Sequence, residues 1–137
     1  MEVGELEQRI LAVLDEAGEE NANALLNTIT DAKGDPGELQ EFATAISLLI
    51  GHGLVTIVDG TEDGNSSELT GENAIAAIDG FLGHLTFDET RNVWTNRSRP
   101  GPPYPLPYPY ILATRAGGDH ARRILADRGA DWWLFDQ

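Results

Sequence analysis

The stretch DPGELQEFATAISLLIGHGLVTIV, residues 35–58, reads as one helix running through a glycine stop straight into one strand, and the rest of the chain is organised around it. Asp35 is an N-cap, Pro36 stands at the first helical position where its missing N–H costs nothing, and Glu38 follows three residues after the cap to reach back. Leu39, Phe42, Ala43, Ile46, Leu49 and Ile50 then recur at helical spacing and share one apolar face. The opposite face presents Gln40, Glu41, Thr44, Ser47 and Leu48. Gly51 and Gly53 supply left-handed stops. Leu54, Val55, Thr56, Ile57 and Val58, aliphatic or β-branched, leave the helix as a strand that ends at the turn-type pair Asp59-Gly60.

Upstream, residues 5–17 predict a first helix with Leu6, Ile10, Val13, Leu14 and Ala17 on one face and Glu7, Gln8, Asp15 and Glu16 on the other. Gly18 stops it, residues 19–23 form a polar connection, and residues 24–29 make a short second helix capped by Asn21 or Asn23, with Leu25, Leu26 and Ile29 inward. Lys33 to Gly37 form the turn before the organising helix. A helix that ends in a Gly-Leu-Val strand after two shorter helices resembles the winged helix-turn-helix superfamily over residues 5–58. The resemblance returns at residues 110–125, YILATRAGGDHARRIL, as a second wing strand leading into a C-terminal helix. It implies an α+β fold, a single winged-helix-like domain over residues 1–137, and by default a DNA-binding transcriptional regulator whose third helix lies in the major groove. The domain then divides into a helix-turn-helix core with the first wing strand (5–58), a segment inserted between the wing strands (59–109), and the second wing strand, last helix and aromatic tail (110–137).

The insertion is far longer than a hairpin connection. Thr70 caps an expected helix over residues 71–84, with Ile75, Ile78, Phe81, Leu82 and Leu85 at helical spacing, weakened by Gly80 and Gly83. Residues 84–87 and 92–95 then pair as a hairpin with Trp94 on its buried face, a candidate component of the wing. Residues 99–110 alternate proline with aromatics and are expected to be extended. They read as a strap whose tyrosines pack back on the domain, or as a ligand segment for an aromatic groove flanked by Arg97 and Arg99. The last helix is expected over residues 117–128, with Ala121, Ile124 and Leu125 inward and Arg122, Arg123 and Arg128 outward. The apolar tail holding Trp132, Trp133, Leu134 and Phe135 docks on the core or across a dimer interface.

Charge is the most informative part of the composition. Residues 1–72 hold 16 acidic and 2 basic residues, Arg9 and Lys33, which is the whole net charge of −14; residues 73–137 hold 7 of each sign. Nucleic-acid surfaces carry clustered Lys and Arg, because affinity comes from neutralising phosphates. The helix-turn-helix half offers the opposite, and none of Gln40, Glu41, Thr44, Ser47 and Leu48 is basic. For DNA contact the arginines of the second half would have to serve: Arg91, Arg97 and Arg99 in an extended wing, Arg115, Arg122 and Arg123 near the last helix. A concentrated negative surface instead suits a basic protein partner. It also allows two copies to pair acidic half to Arg-bearing half.

Specific chemistry is thinly signalled. The absence of Cys removes disulfides, thiolate nucleophiles and Cys-ligated zinc. His52, His84 and His120 lack metal-ligand spacing, and there is no GxSxG, Walker-type or Rossmann motif, so no metal, no cofactor and no enzymatic activity are expected. Residues 59–64, DGTEDG, resemble the start of an EF-hand loop, but its twelfth position is Thr70 rather than Glu, so a solvated acidic turn is the better reading. Trp94, Tyr104, Tyr108, Tyr110, Trp132 and Trp133 are candidates to line a small-molecule pocket or an interface. No apolar run approaches the ~20 residues of a membrane span and no signal-peptide pattern opens the chain, so a cytoplasmic protein is expected. The leading function is a non-enzymatic interaction module with an acidic helix-turn-helix face; the alternative is a DNA-binding regulator, ligand-sensing if the aromatics form a pocket.

Overall fold

A computed structural model describes residues 4–17, 19–30, 33–60, 66–96, 109–129 and 132. The organising helix, α3, runs Pro36–Gly51, and the Asp35 side chain accepts the Gly37 N–H at 2.9 Å as the cap requires. Glu38 reaches past the cap: its carboxylate accepts the Lys33 N–H at 2.9 Å and the Gly34 N–H at 3.1 Å, so it braces the turn ahead of the helix rather than Asp35 itself. Phe42, Ala45, Ile46, Leu49 and Ile50 are buried, whereas Leu39 and Ala43, at the edge of the expected stripe, are half-buried. Gly51 is the last helical residue, and only Gly53, at φ +70, takes the left-handed conformation that turns the chain.

Helix α1 (Glu5–Ala17) buries Ile10, Leu11, Val13 and Leu14. The expected polar connection after it is a strand, β1 (Glu19–Asn21), and α2 (Ala22–Ile29) begins directly from it. Polar composition concealed β1 because its pairing partner lies some ninety residues away along the chain: Glu20 stands opposite Ile111. Strand β2 (Val55–Gly60) extends through the Asp59-Gly60 pair, because β3 (Ser66–Leu69) pairs with it up to Gly60. Residues 61–65 of the acidic loop lie outside the described residues.

Helix α4 (Gly71–Leu82) follows, then a hairpin of β4 (Leu85–Asp88) and β5 (Val93–Asn96). The hairpin stands as its own two-stranded sheet and is not part of the main one. Strand β6 (Tyr110–Ala113) pairs antiparallel with β2, Ile57 opposite Ile111, and the main sheet runs in the order β1-β6-β2-β3. The described chain is thus an α+β arrangement with antiparallel sheets. One buried apolar cluster draws on α1, α2, α3, α4, α5, both sheets and the hairpin's Trp94.

Helix α5 (Arg115–Arg128) starts two residues earlier than its apolar spacing predicts, because Thr114 is its cap and accepts the Gly117 N–H at 3.0 Å. The same hydroxyl donates to the Gly53 carbonyl at 2.7 Å, and the Thr114 N–H donates to the Leu54 carbonyl at 3.0 Å. Gly117 lies so close to that strand entry that a Cβ there would stand 1.9 Å from the Leu54 carbonyl oxygen. Two stretches sixty residues apart are thereby locked together, the end of α3 and the start of α5.

Candidate functional site

Three of the five residues expected on the outer face of α3 are exposed. Gln40, Glu41 and Thr44 are exposed, while Ser47 and Leu48 are half-buried. Along one flank of this face α4 packs against α3. Between the first half of α3 (Pro36, Leu39, Gln40 and Ala43) and the end of α4 (Asp79, Leu82 and Gly83) lies a shallow, open cleft of about 400 Å³. No lysine or arginine lines it.

At the start of α3 the hairpin is pinned by specific bonds. Trp94, 5% exposed, donates its indole N–H to Glu38 at 3.1 Å. Its backbone is held on both sides by the Asn27 side chain, which donates to the Trp94 carbonyl at 2.9 Å and accepts the Trp94 N–H at 2.8 Å, as a neighbouring strand would. Phe87 meets Trp94 edge-on at 5.3 Å and lies over Gly34, where a Cβ would fall 2.7 Å from the ring. Gly34 has φ +85, so only glycine fits both the turn and the ring. Gly34, just ahead of α3, is therefore covered by the β4–β5 hairpin.

Among the described residues, three arginines of the second half are bonded to carboxylates of the chain. Arg91 pairs with Asp88 at 2.8 Å across the hairpin turn. Arg122 bonds Asp119 and reaches Asp15 of α1 at 3.4 Å. Arg128 bonds Glu5 and Gln8 of α1, both at 2.8 Å. Arginines of α5 thus meet carboxylates of α1 within one chain. Arg115 and Arg123 are exposed on α5; Arg97 and Arg99 lie outside the described residues. The Arg128 guanidinium holds the Glu5 carboxyl below its ordinary range and is itself pushed up by it. Arg91 lowers Asp88 in the same way, and burial, aided by the charge of Arg123, lowers His120.

The aromatic candidates divide. Trp94 is packed as above, and Trp132 lies against α5 and α1, with the Arg128 guanidinium 3.7 Å and that of Arg9 5.4 Å from its ring centre. Tyr110 is 41% exposed on β6. Tyr104, Tyr108 and Trp133 lie outside the described residues. The structure therefore seats Trp94 and Trp132 against different elements. Among the described residues no cluster of His, Asp and Glu is arranged to hold a metal ion, and no helix is long and apolar enough to cross a membrane.

Sequence reasoning missed the cleft and the role of Glu38. Leu39 and Ala43 carry a core-face signal, but nothing in their spacing points to Asp79, Leu82 or Gly83; Glu38 was legible only as a capping residue. No family model, curated protein or solved structure matches the chain.

Proposed function

We propose that this chain is a winged-helix protein-interaction module that engages a basic protein partner through the outer face of α3. The sheet order β1-β6-β2 beside α1, α2 and α3 supports a winged-helix reading, with β2 and β6 as the wing strands and β3, α4, β4 and β5 carried between them. The observation that carries the functional reading is the face itself: Gln40, Glu41 and Thr44 are exposed on a helix with no basic residue, in a half of the chain that holds the whole net charge of −14. A duplex approaching that face would meet carboxylate against phosphate. It would also meet the hairpin that covers the turn ahead of α3, the end of a recognition helix that normally leads into the groove. Three of the arginines that could offset this, Arg91, Arg122 and Arg128, are bonded to carboxylates of the chain.

Binding of the protein to mixed-sequence duplex DNA at low and then moderate salt, with the oligomeric state of the same sample, tests this reading. No binding at low salt is the expected result. Appreciable binding that weakens steeply with salt would replace the reading with a DNA-binding regulator working through Arg115 and Arg123. Leu48→Ala is expected to weaken capture of a basic partner while leaving the unfolding midpoint nearly unchanged, because Leu48 is outside the buried cluster. Unfolding of that variant would mean that Leu48 belongs to the core.

A further inference from the structure

We propose that the open edge of β3 is a strand-addition site for an extended basic segment of a partner protein, whose main chain bonds Ser66 and Glu68. The inference rests on the reading that the partner is basic, and it adds a contact made by backbone rather than by the α3 surface. Strand β3 is the last strand of the main sheet, and among the described elements it packs closely on β2 alone.

The bonding phase of the sheet decides which main-chain groups of β3 are free. The Thr114 N–H donates to the Leu54 carbonyl at 3.0 Å, just outside the continuous register that pairs Val55 with Ala113 and Val58 with Tyr110. Bonded pairs alternate along an antiparallel ladder, so Thr56 and Val58 bond β6, and Ile57 and Asp59 are left to bond β3. Their partners there are Leu69 and Ser67. The N–H and C=O groups of Ser66 and Glu68 consequently point off the sheet, toward the place of a further strand. Such edges are normally closed by lysine, proline or a bulge. Strand β3, with the sequence SSEL, has neither residue, and its register with β2 is unbroken.

Charge selects the occupant. Glu68 is exposed, residues 59–72 also hold Asp59, Glu62, Asp63 and Glu72, and no lysine or arginine occurs between Lys33 and Arg91. A second copy pairing β3 to β3 would bring like charges together, whereas a strand bearing Lys or Arg would set a cation opposite Glu68.

The test adds an acetylated, amidated peptide, Lys-Val-Lys-Val-Lys-Val, at low salt and reads amide shifts and hydrogen exchange. The same peptide N-methylated at every residue keeps the charge and loses its main-chain N–H donors. The expected result is that the Ser66 and Glu68 amides exchange about tenfold or more slowly with peptide bound, and that N-methylation weakens binding by about tenfold or more. Glu68→Pro removes an N–H that β2 does not use, so it should weaken binding likewise while the unfolding midpoint stays near that of the parent. Equal binding of the two peptides, or protection at Glu19 and Asn21 instead, would overturn the β3 edge and leave the basic-partner reading standing. Protection of Ser66 and Glu68 that grows with protein concentration alone would make a second copy the occupant and overturn the proposal. Absence of binding by either peptide at low salt would remove both the edge and the basic-partner reading.

Discussion

Gly117 carries more of the fold than its size suggests. It sits in the first turn of α5, its N–H held by the Thr114 hydroxyl, and its α-carbon rides directly on the Leu54 carbonyl. Gly117→Ala would drive a methyl into a backbone oxygen that is itself bonded to the Thr114 N–H, so neither side can yield cheaply. The expected loss is about 1–3 kcal/mol or more, seen as a lower urea midpoint with an unchanged slope. Gly118→Ala is the control: a methyl there meets only the far end of the Arg122 side chain at 3.4 Å. At this scale the sequence was only partly readable. The spacing predicts a helix start at Gly117, whereas α5 begins at Arg115 behind the Thr114 cap, and which of Gly117 and Gly118 touches another strand depends on where that strand runs.

Two elements define the surroundings of the site, α3 and the β4–β5 hairpin. Phe42 and Ile46 are fully buried, and truncating either to Ala is expected to cost about 2–5 kcal/mol in equilibrium unfolding. The hairpin is attached differently, by polar bonds to Glu38 and Asn27 beneath Trp94. Glu38→Ala would leave the Trp94 indole N–H and two turn amides without their acceptor, at a cost of about 1–3 kcal/mol. Hydrogen exchange should localise the change: amides of Lys33, Gly34 and residues 85–96 lose protection, while those in the centre of α3 keep it. Uniform loss along the chain would mean that the hairpin and the three-helix unit open together. Helix existence at this scale follows from periodicity, which is why α1, α3 and α4 begin where the spacing predicts. Helix α4 ends two residues short of its expected end, with no side-chain bond from the Thr70 cap, and both hairpin strands lie one residue further on. Strands β1 and β3 escaped, being short and polar, with their partners supplied by other parts of the chain.

Over the whole molecule, charge sets the response to pH. Glu5 and Asp88 have folded-state values below those of free carboxyls because Arg128 and Arg91 bond them, and burial keeps the His120 imidazole low. In each case the folded chain binds fewer protons than the unfolded chain, so these groups contribute stability above their unfolded values that is lost as pH falls through the folded ones. His120 acts first, below about 6.5, and the carboxyls only in the acid range. Urea midpoints should therefore begin to fall on acidification just below neutrality, and His120→Gln should flatten that first segment. A midpoint that rises through that interval in the parent chain, with the same rise in the variant, would show that relief of the −14 charge outweighs the imidazole. The effects of Glu5 and Asp88 should be small, since both ion pairs are solvated.

The sequence by itself determined the Asp35 cap of α3, the centre of the apolar faces of α1 and α3 though not the burial of Leu11, Ala12 and Ala45, a hairpin with Trp94 buried, and the concentration of negative charge before residue 73. All of these are local: a cap, a period or a sum of charges is complete within a few turns of chain. Tertiary structure alone decided that β6 lies between β1 and β2, that Asn27 holds Trp94 from 67 residues away, and that Asp79 faces the first half of α3 across a cleft. Those facts depend on which distant surfaces bury one another, and neither partner's neighbours in sequence carry a trace of it.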